Sequence, residues 1–280
     1  MTTPLTPRYP GAVSSPRDLE EAGFGWRESG EGGPAVVFLH GLGGSRLAWE
    51  PQLGAFGVCR RAVAWDQPGY GASAPLEPTT TFAGLADALA RFLDLLGLDR
   101  VHFVGLSFGG MVAQHAALAH GDRLASLTLL SSSPAFGLDG TTAEAWRSAR
   151  LAPLDAGRTP GDFAGEVLTA IAGPGLTPEA LAAQKAAMAR IGSDGLRAAI
   201  DCLVTHDTRA ELHRIAVPTL VLAGALDEET PVAYAQALAG GIPGARLEVV
   251  EGAGHLLGAE APDAVNAIVA GHLDAVEALA

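Results

Sequence analysis

The sequence is short of lysine, of cysteine and of long apolar runs, and each shortage removes a class of function. Lys185 is the one lysine among 18 basic residues, which face 31 acidic residues for a formal charge of −13 at pH 7. Such a surface repels phosphate backbones and anionic headgroups, which disfavours nucleic acid and membrane surfaces as partners. Cys59 and Cys202 are too few for a disulfide framework, and both are expected as buried free thiols. No run approaches the roughly 18 apolar residues of a membrane-spanning helix. The opening stretch MTTPLTPRYPGAVSSPRD has no apolar core behind a charged start, as a secretory signal would. These absences predict a soluble cytoplasmic protein, with a loose Pro-, Ser- and Thr-rich arm over residues 1 to about 18.

What is present is a globular composition, with 48% hydrophobic and 18% charged residues in 280. That length suits one large domain, or one domain carrying a sizeable insertion. GFGWRES (Gly23–Ser29) alternates enough to be an early, exposed strand. GPAVVFLH (Gly33–His40), RRAVAWD (Arg60–Asp66), RVHFVGL (Arg100–Leu106) and RLASLTLLSS (Arg123–Ser132) are continuous apolar runs, the mark of strands buried on both faces. Helical periodicity fills Phe82–Leu98 and Phe108–His120 between them. Alternating strand and helix imply βαβ units and a parallel sheet. The pattern breaks after Ser133: residues 134–214 read as Ala-rich helices without a strand. It resumes with VPTLVLAG (Val217–Gly224), a helix, ARLEVVEG and a last helix. A helical cap (134–214) set into an α/β core (1–133 and 215–280) is the expected domain plan.

One stretch demands an explanation. In Val104-Gly105-Leu106-Ser107-Phe108-Gly109-Gly110 an apolar run ends on a serine between glycines and a helix starts at once. Glycine weakens a strand or helix unless the backbone needs it. Gly105–Gly109 is G-x-S-x-G between a predicted strand and a predicted helix, the context in which a sharp turn lifts a serine hydroxyl clear of a sheet. The turn also aims the Phe108 amide at that point, at a helix start where partial positive charge favours an anion. A plain Gly-rich turn with serine as helix cap is the competing reading. Serine is a weak nucleophile and needs a base, usually histidine, oriented by a carboxylate. Asp227 follows the strand TLVLAG and His255 follows RLEVVE, so Ser107, Asp227 and His255 stand in the chain order this architecture requires, each past its own strand. Asp227 competes with a helix N-cap role, and Glu228 and Glu229 are alternative acids. HGLGGS (His40–Ser45) follows the first buried strand and offers the Leu42 amide as a second oxyanion donor, with His40 bracing the loop. That loop lacks the Lys-Ser/Thr of a phosphate cradle.

HGLGGS, WDQPGYGAS (Trp65–Ser73), GLSFGGM, PTLVLAGALDEETP and GAGH together resemble the α/β-hydrolase superfamily from about residue 22 onward. The resemblance implies an eight-stranded, mostly parallel sheet with helices on both faces and an inserted helical cap over a pocket. It takes DQPGYGAS as a structural loop. Serine at position 107 argues against haloalkane dehalogenases and epoxide hydrolases, which carry aspartate there. The pattern is similar to 3-oxoadipate enol-lactonases and related ester or lactone hydrolases, to C–C hydrolases of meta-cleavage products that use the same triad, and to serine perhydrolases. It implies cleavage of a small carboxylic ester or lactone through an acyl-enzyme, with no metal or organic cofactor. Receptors and non-hydrolytic cyclases also use this fold, so the fold alone does not fix function. A homodimer is expected on general frequency.

Trp146, Arg147 and Arg150 in AEAWRSAR are candidates to meet an anionic substrate, against the plainer reading of a solvated helix face. Between Pro134 and His213 seven basic residues face ten acidic ones, so the helical block is not broadly basic. Cys202 and His206, at i and i+4, lack a third metal ligand. His115 and His120 read as helix core or surface.

Overall fold

The computed structural model describes residues 15–76 and 79–279. Eight strands form one sheet: β1 (Arg17–Glu21), β2 (Phe24–Ser29), β3 (Val36–Leu39), β4 (Ala62–Trp65), β5 (Val101–Leu106), β6 (Leu124–Leu130), β7 (Thr219–Gly224) and β8 (Arg246–Val250). Their spatial order is β1-β2-β4-β3-β5-β6-β7-β8. The six strands from β4 to β8 run parallel, and β2 pairs antiparallel with both β1 and β4. The expected mostly parallel eight-stranded sheet is therefore observed.

The apolar runs become central strands because both of their faces are covered. On β3, Val37 and Leu39 join a core with Leu89 of α2 (Phe82–Leu95) and Val112 of α3 (Phe108–Ala119). Val36 and Phe38 point the other way, onto Leu53 and Phe56 of α1 (Glu50–Phe56). On β7 the same alternation sends Leu220 and Leu222 to that second face, where Val269 and Leu273 of the C-terminal helix Pro262–Glu277 also pack. Burying each such side chain is worth about 2 kcal/mol.

Two expectations at the N-terminus change. Arg17 and Asp18 belong to β1 rather than to a loose arm, because Arg17 to Glu21 pair along β2; residues 1–14 of that arm lie outside the described residues. β2 is mostly buried rather than exposed: it lies between β1 and β4, with Trp26 in the core and Glu28 accepting from Arg17, Trp26 and Arg61. Cys202 is buried as expected, but Cys59 is half-buried; both are free thiols.

Between β6 and β7 lie four helices, α4 (Ala143–Asp155), α5 (Pro160–Ile171), α6 (Pro178–Met188) and α7 (Ser193–Leu203). Threonine opens three of them. The Thr142 and Thr177 side chains accept from the amides of Ala145 and Ala180, and Thr159 with Asp162 closes a capping box. The block touches the core at several points: Tyr70 bridges to Ile191, and Gln184 Nε2 donates to the Ala48 carbonyl at 3.3 Å. After β7 come α8 (Val232–Gly241), β8, α9 (Leu257–Glu260) and α10 (Pro262–Glu277). Among the described residues no helix is long and apolar enough to cross a membrane.

Candidate active site

The glycines around Ser107 are required by close backbone approach. A Cβ on Gly105 would stand 2.5 Å from the Gly109 carbonyl oxygen, and one on Gly109 would stand 2.1 Å from the Leu39 carbonyl oxygen. The turn between β5 and α3 is thus wedged against the end of β3. Ser107 adopts φ 52° and ψ −117°, a conformation that costs a non-glycine residue about 1–3 kcal/mol. Its backbone is held from both sides: its amide donates to Leu130 O at 2.9 Å, and its carbonyl accepts from the Met111 amide at 3.0 Å and the Ser132 hydroxyl at 3.0 Å. The Ser107 side chain makes no cap to α3, which removes the plain helix-cap reading.

His255 lies past β8 and is buried. Its Nδ1 stands 3.1 and 3.0 Å from the two oxygens of Asp227, past β7. Asp227 also accepts from the amides of Glu229 (3.0 Å) and Thr230 (2.9 Å) and from the Thr230 hydroxyl (2.8 Å). With its acceptors facing only donors, the carboxylate is met by a protonated Nδ1, which leaves Nε2 as the ring's basic nitrogen. Burial pushes the Asp227 carboxyl up, but His255 and Thr230 outweigh it and hold it below the usual value. Burial also opposes charge on His255, yet the hydrogen bond and charge of Asp227, with Glu229 and Glu260 behind, raise it above the ordinary histidine range.

Ser107 and His255 line one cavity of about 410 Å³ under α4–α7. Its walls are largely apolar, with Met111, Phe163, Leu168, Met188 and Ile200 among them. Leu42 lines it too, and the Phe108 amide opens α3 beside Ser107. The Leu42 loop is fixed by Tyr70, whose hydroxyl donates to the Leu42 carbonyl at 2.9 Å, and by His40. His40 Nδ1 lies 2.9 Å from the Gly41 carbonyl and its Nε2 accepts from the Gln67 amide at 3.1 Å, so the buried ring bridges two loops and is neutral by burial. Asp66 similarly fastens the next loop, accepting from the Arg46 guanidinium at 2.6 Å and the Ala72 amide at 3.1 Å.

Of the three residues expected to meet an anion, Trp146 and Arg150 line the cavity and Arg147 does not. Arg147 Nε instead donates to Asp201 on α7 at 2.7 Å, because it lies one residue round the helix from the cavity stripe. Arg150 is paired with Glu229. Cys202 and His206 form no metal pair: burial pushes the Cys202 thiol up to about 12, and His206 faces His115 Nε2 (3.2 Å) and Ser133 O (2.8 Å). Among the described residues no group of three His, Cys, Asp or Glu could hold a metal ion.

Glu260 was not legible as part of this site. Its buried carboxylate accepts from the amides of Gly254 (2.7 Å) and Leu256 (2.8 Å), which flank His255, and from Gly173 (2.9 Å) after α5. The His255 amide itself donates to Ile171 O at 3.2 Å. Glu260 therefore binds the histidine loop to the helical block. The signal was a lone acid five residues beyond the histidine, with no periodicity to mark it.

Comparison with known proteins establishes the family. A family model described as alpha/beta hydrolase fold matches residues 34–262. The chain is 30% identical to a protein named putative carbamate hydrolase RutD from Yersinia enterocolitica over 88% of this chain and 90% of that one. It is 30% identical to 3-oxoadipate enol-lactonase 2 of Acinetobacter baylyi, covering 83% of this chain and 86% of the other. A thermophilic esterase from Thermogutta terrifontis superimposes with a TM-score of 0.80 at 26% identity, covering 95% of this chain and 98% of the esterase. The chain belongs to the α/β-hydrolase family and is a hydrolase.

Proposed function

We propose that this hydrolase cleaves a small carboxylic ester or lactone through Ser107, His255 and Asp227, with residues 134–214 acting as a cap over the site. The observation that carries the reading is the buried Asp227–His255 pair on a cavity that Ser107 also lines. His255 Nε2 takes the Ser107 proton as Oγ attacks the carbonyl carbon, and Asp227 stabilises the imidazolium that forms. The Leu42 and Phe108 amides stabilise the oxyanion, one such donor being worth about 3–4 kcal/mol. His255 returns the proton to the leaving alcohol, then activates the water that frees the acyl group. Substrate reaches Ser107 through apolar walls that exclude bulk water from the reacting atoms. The reading also sets the enzyme in the cytoplasm, where the two unpaired thiols stay reduced.

Hydrolysis of short-chain p-nitrophenyl esters by the intact chain and by Ser107→Ala tests the mechanism. The expected result is turnover by the former and a loss of roughly a thousandfold or more in the latter, at unchanged melting temperature. Comparable rates from a folded Ser107→Ala protein would overturn it.

A further inference from the structure

The charge around the cavity discriminates among esters. Arg150 is the one Arg or Lys side chain lining it among the described residues. Its guanidinium is already engaged twice: Nη2 is ion-paired with Glu229, and Cζ lies 5.3 Å from the centre of the Trp146 ring. Both partners of the ion pair are about one third exposed, so the pair sits at the rim rather than in the depth. Two further carboxylates line the same cavity, Asp139 and Glu228, both exposed. Asp139 is hydrogen-bonded to the amide and hydroxyl of Thr141 and has no ion-pair partner among the described residues. Counting Arg150 against Asp139, Glu228 and Glu229, the rim carries a net charge of −2. Inside it most buried wall residues are apolar, from Met111 and Phe163 to Leu196 and Ile200, with Ser133, Gln184, Thr230 and His255 as the buried polar ones.

We propose that the enzyme is built for esters or lactones with a neutral, apolar acyl chain, and that the Arg150–Glu229 pair at the rim turns away substrates bearing a second carboxylate. This rests on the cavity being the acyl site of the proposed ester hydrolase. A substrate carboxylate reaching Arg150 must displace Glu229 and lift the guanidinium from the Trp146 face, in the repulsive field of Asp139 and Glu228. If it lodges deeper, it loses its water against a mostly apolar wall in which no Arg or Lys among the described residues stands to replace it. A neutral chain of the same length meets neither cost and gains by covering apolar wall.

The test separates binding from turnover. Methyl hexanoate and monomethyl adipate have the same chain and differ at its end, a methyl against a carboxylate. Their affinities for Ser107→Ala protein are measured by calorimetry at low salt, alone and with Glu229→Gln or Arg150→Gln added. The expected result is at least tenfold tighter binding of methyl hexanoate by Ser107→Ala. E229Q frees Arg150 and removes one negative charge, so the preference shrinks at least fivefold, through a gain for the adipate ester. R150Q leaves the rim more acidic, so the preference widens while methyl hexanoate changes less than threefold. Equal or tighter binding of the adipate ester, a preference that neither substitution moves, or binding of neither ester at 10 mM overturns the proposal. Failure of the intact chain to hydrolyse either ester would instead count against the ester-hydrolase reading, with the binding ratio still deciding the charge of the rim.

Discussion

Removing the Glu260 carboxylate should loosen the histidine loop before it touches chemistry. Three amides, the buried ones of Gly254 and Leu256 and the half-buried one of Gly173, donate to it at 2.7–2.9 Å. A buried donor left unpaired costs about 1–3 kcal/mol. With some water entering, Glu260→Ala should cost on the order of 4 kcal/mol. For a chain of this length about 2–4 °C is lost per kcal/mol, giving a fall of roughly 8–16 °C in melting temperature. Glu260→Gln keeps the volume and one good acceptor but turns an NH2 group toward an amide donor, so about half that loss is expected. The catalytic readout separates positioning from plain stability. Glu260 adds to the negative field that raises the His255 pKa. In Glu260→Gln at a temperature where the protein is fully folded, kcat should fall more than KM changes, and the acid limb of the kcat/KM profile should move to lower pH. A melting temperature within 1 °C of the parent would refute the clamp. A lowered melting temperature with unchanged kcat and unchanged acid limb would make Glu260 purely structural.

Other consequences can be checked alongside. Asp227→Asn turns an amide donor toward His255 and favours the wrong tautomer, so kcat should drop by roughly 10⁴ while the protein stays folded by circular dichroism. Because the His255 pKa is raised, and the base must be neutral, the acid limb of kcat/KM for the intact chain should lie above the ordinary histidine value of about 6.5; a limb below it contradicts the Asp227 pairing. Gly109→Ala pushes a Cβ to 2.1 Å from the Leu39 carbonyl oxygen, so the turn must shift and both esterase activity and thermal stability should be lost together. Burial holds His206 near pKa 3 in the folded state against about 6.5 unfolded. The unfolded chain therefore binds the extra proton, and this one residue should lower stability by about 1.4 kcal/mol per pH unit as pH falls from 6.5 toward 3. His206→Gln should flatten urea-denaturation stability over that window, and an unchanged slope would sink the assignment.

The central sheet was readable because its physics is local. A strand covered on both faces is apolar along most of its length, as Val36–Leu39, Val101–Leu106 and Thr219–Gly224 are apart from His102 and Thr219. β1 was hidden for the opposite reason: Arg-Asp-Leu-Glu-Glu is mostly exposed at the sheet edge and is held by backbone pairing and by Arg17–Glu28 and Arg27–Asp18 ion pairs, none of which leaves an apolar pattern. The turn at Ser107 was readable because steric necessity writes itself as glycine at fixed offsets. Arg147 and Arg150 were not separable in the sequence, since three residues of rotation on a helix decide which of them reaches the cavity and which meets Asp201.

Asp227 shows why a short motif can support two readings at once. Its carboxylate accepts from the amides two and three residues on, Glu229 and Thr230, as an N-cap would, but it caps no helix: α8 opens at Val232 with Pro231 as its N-cap. As the partner of a histidine it would face an imidazole, and it does that too. The turn contacts and the histidine contact share one carboxylate. The turn fixes the carboxylate so that little orientation is lost when His255 becomes charged, and the Thr230 hydroxyl, 2.8 Å from Asp227 and 3.3 Å from Nδ1, blocks the ring from turning away. A carboxylate held this way has its lone pairs occupied before any chemistry starts, which is the preorganisation that makes a transient imidazolium cheap to form. Glu228 and Glu229, within the same turn, line the cavity instead. Within residues 227–229, one carboxylate faces the histidine and two residues line the cavity.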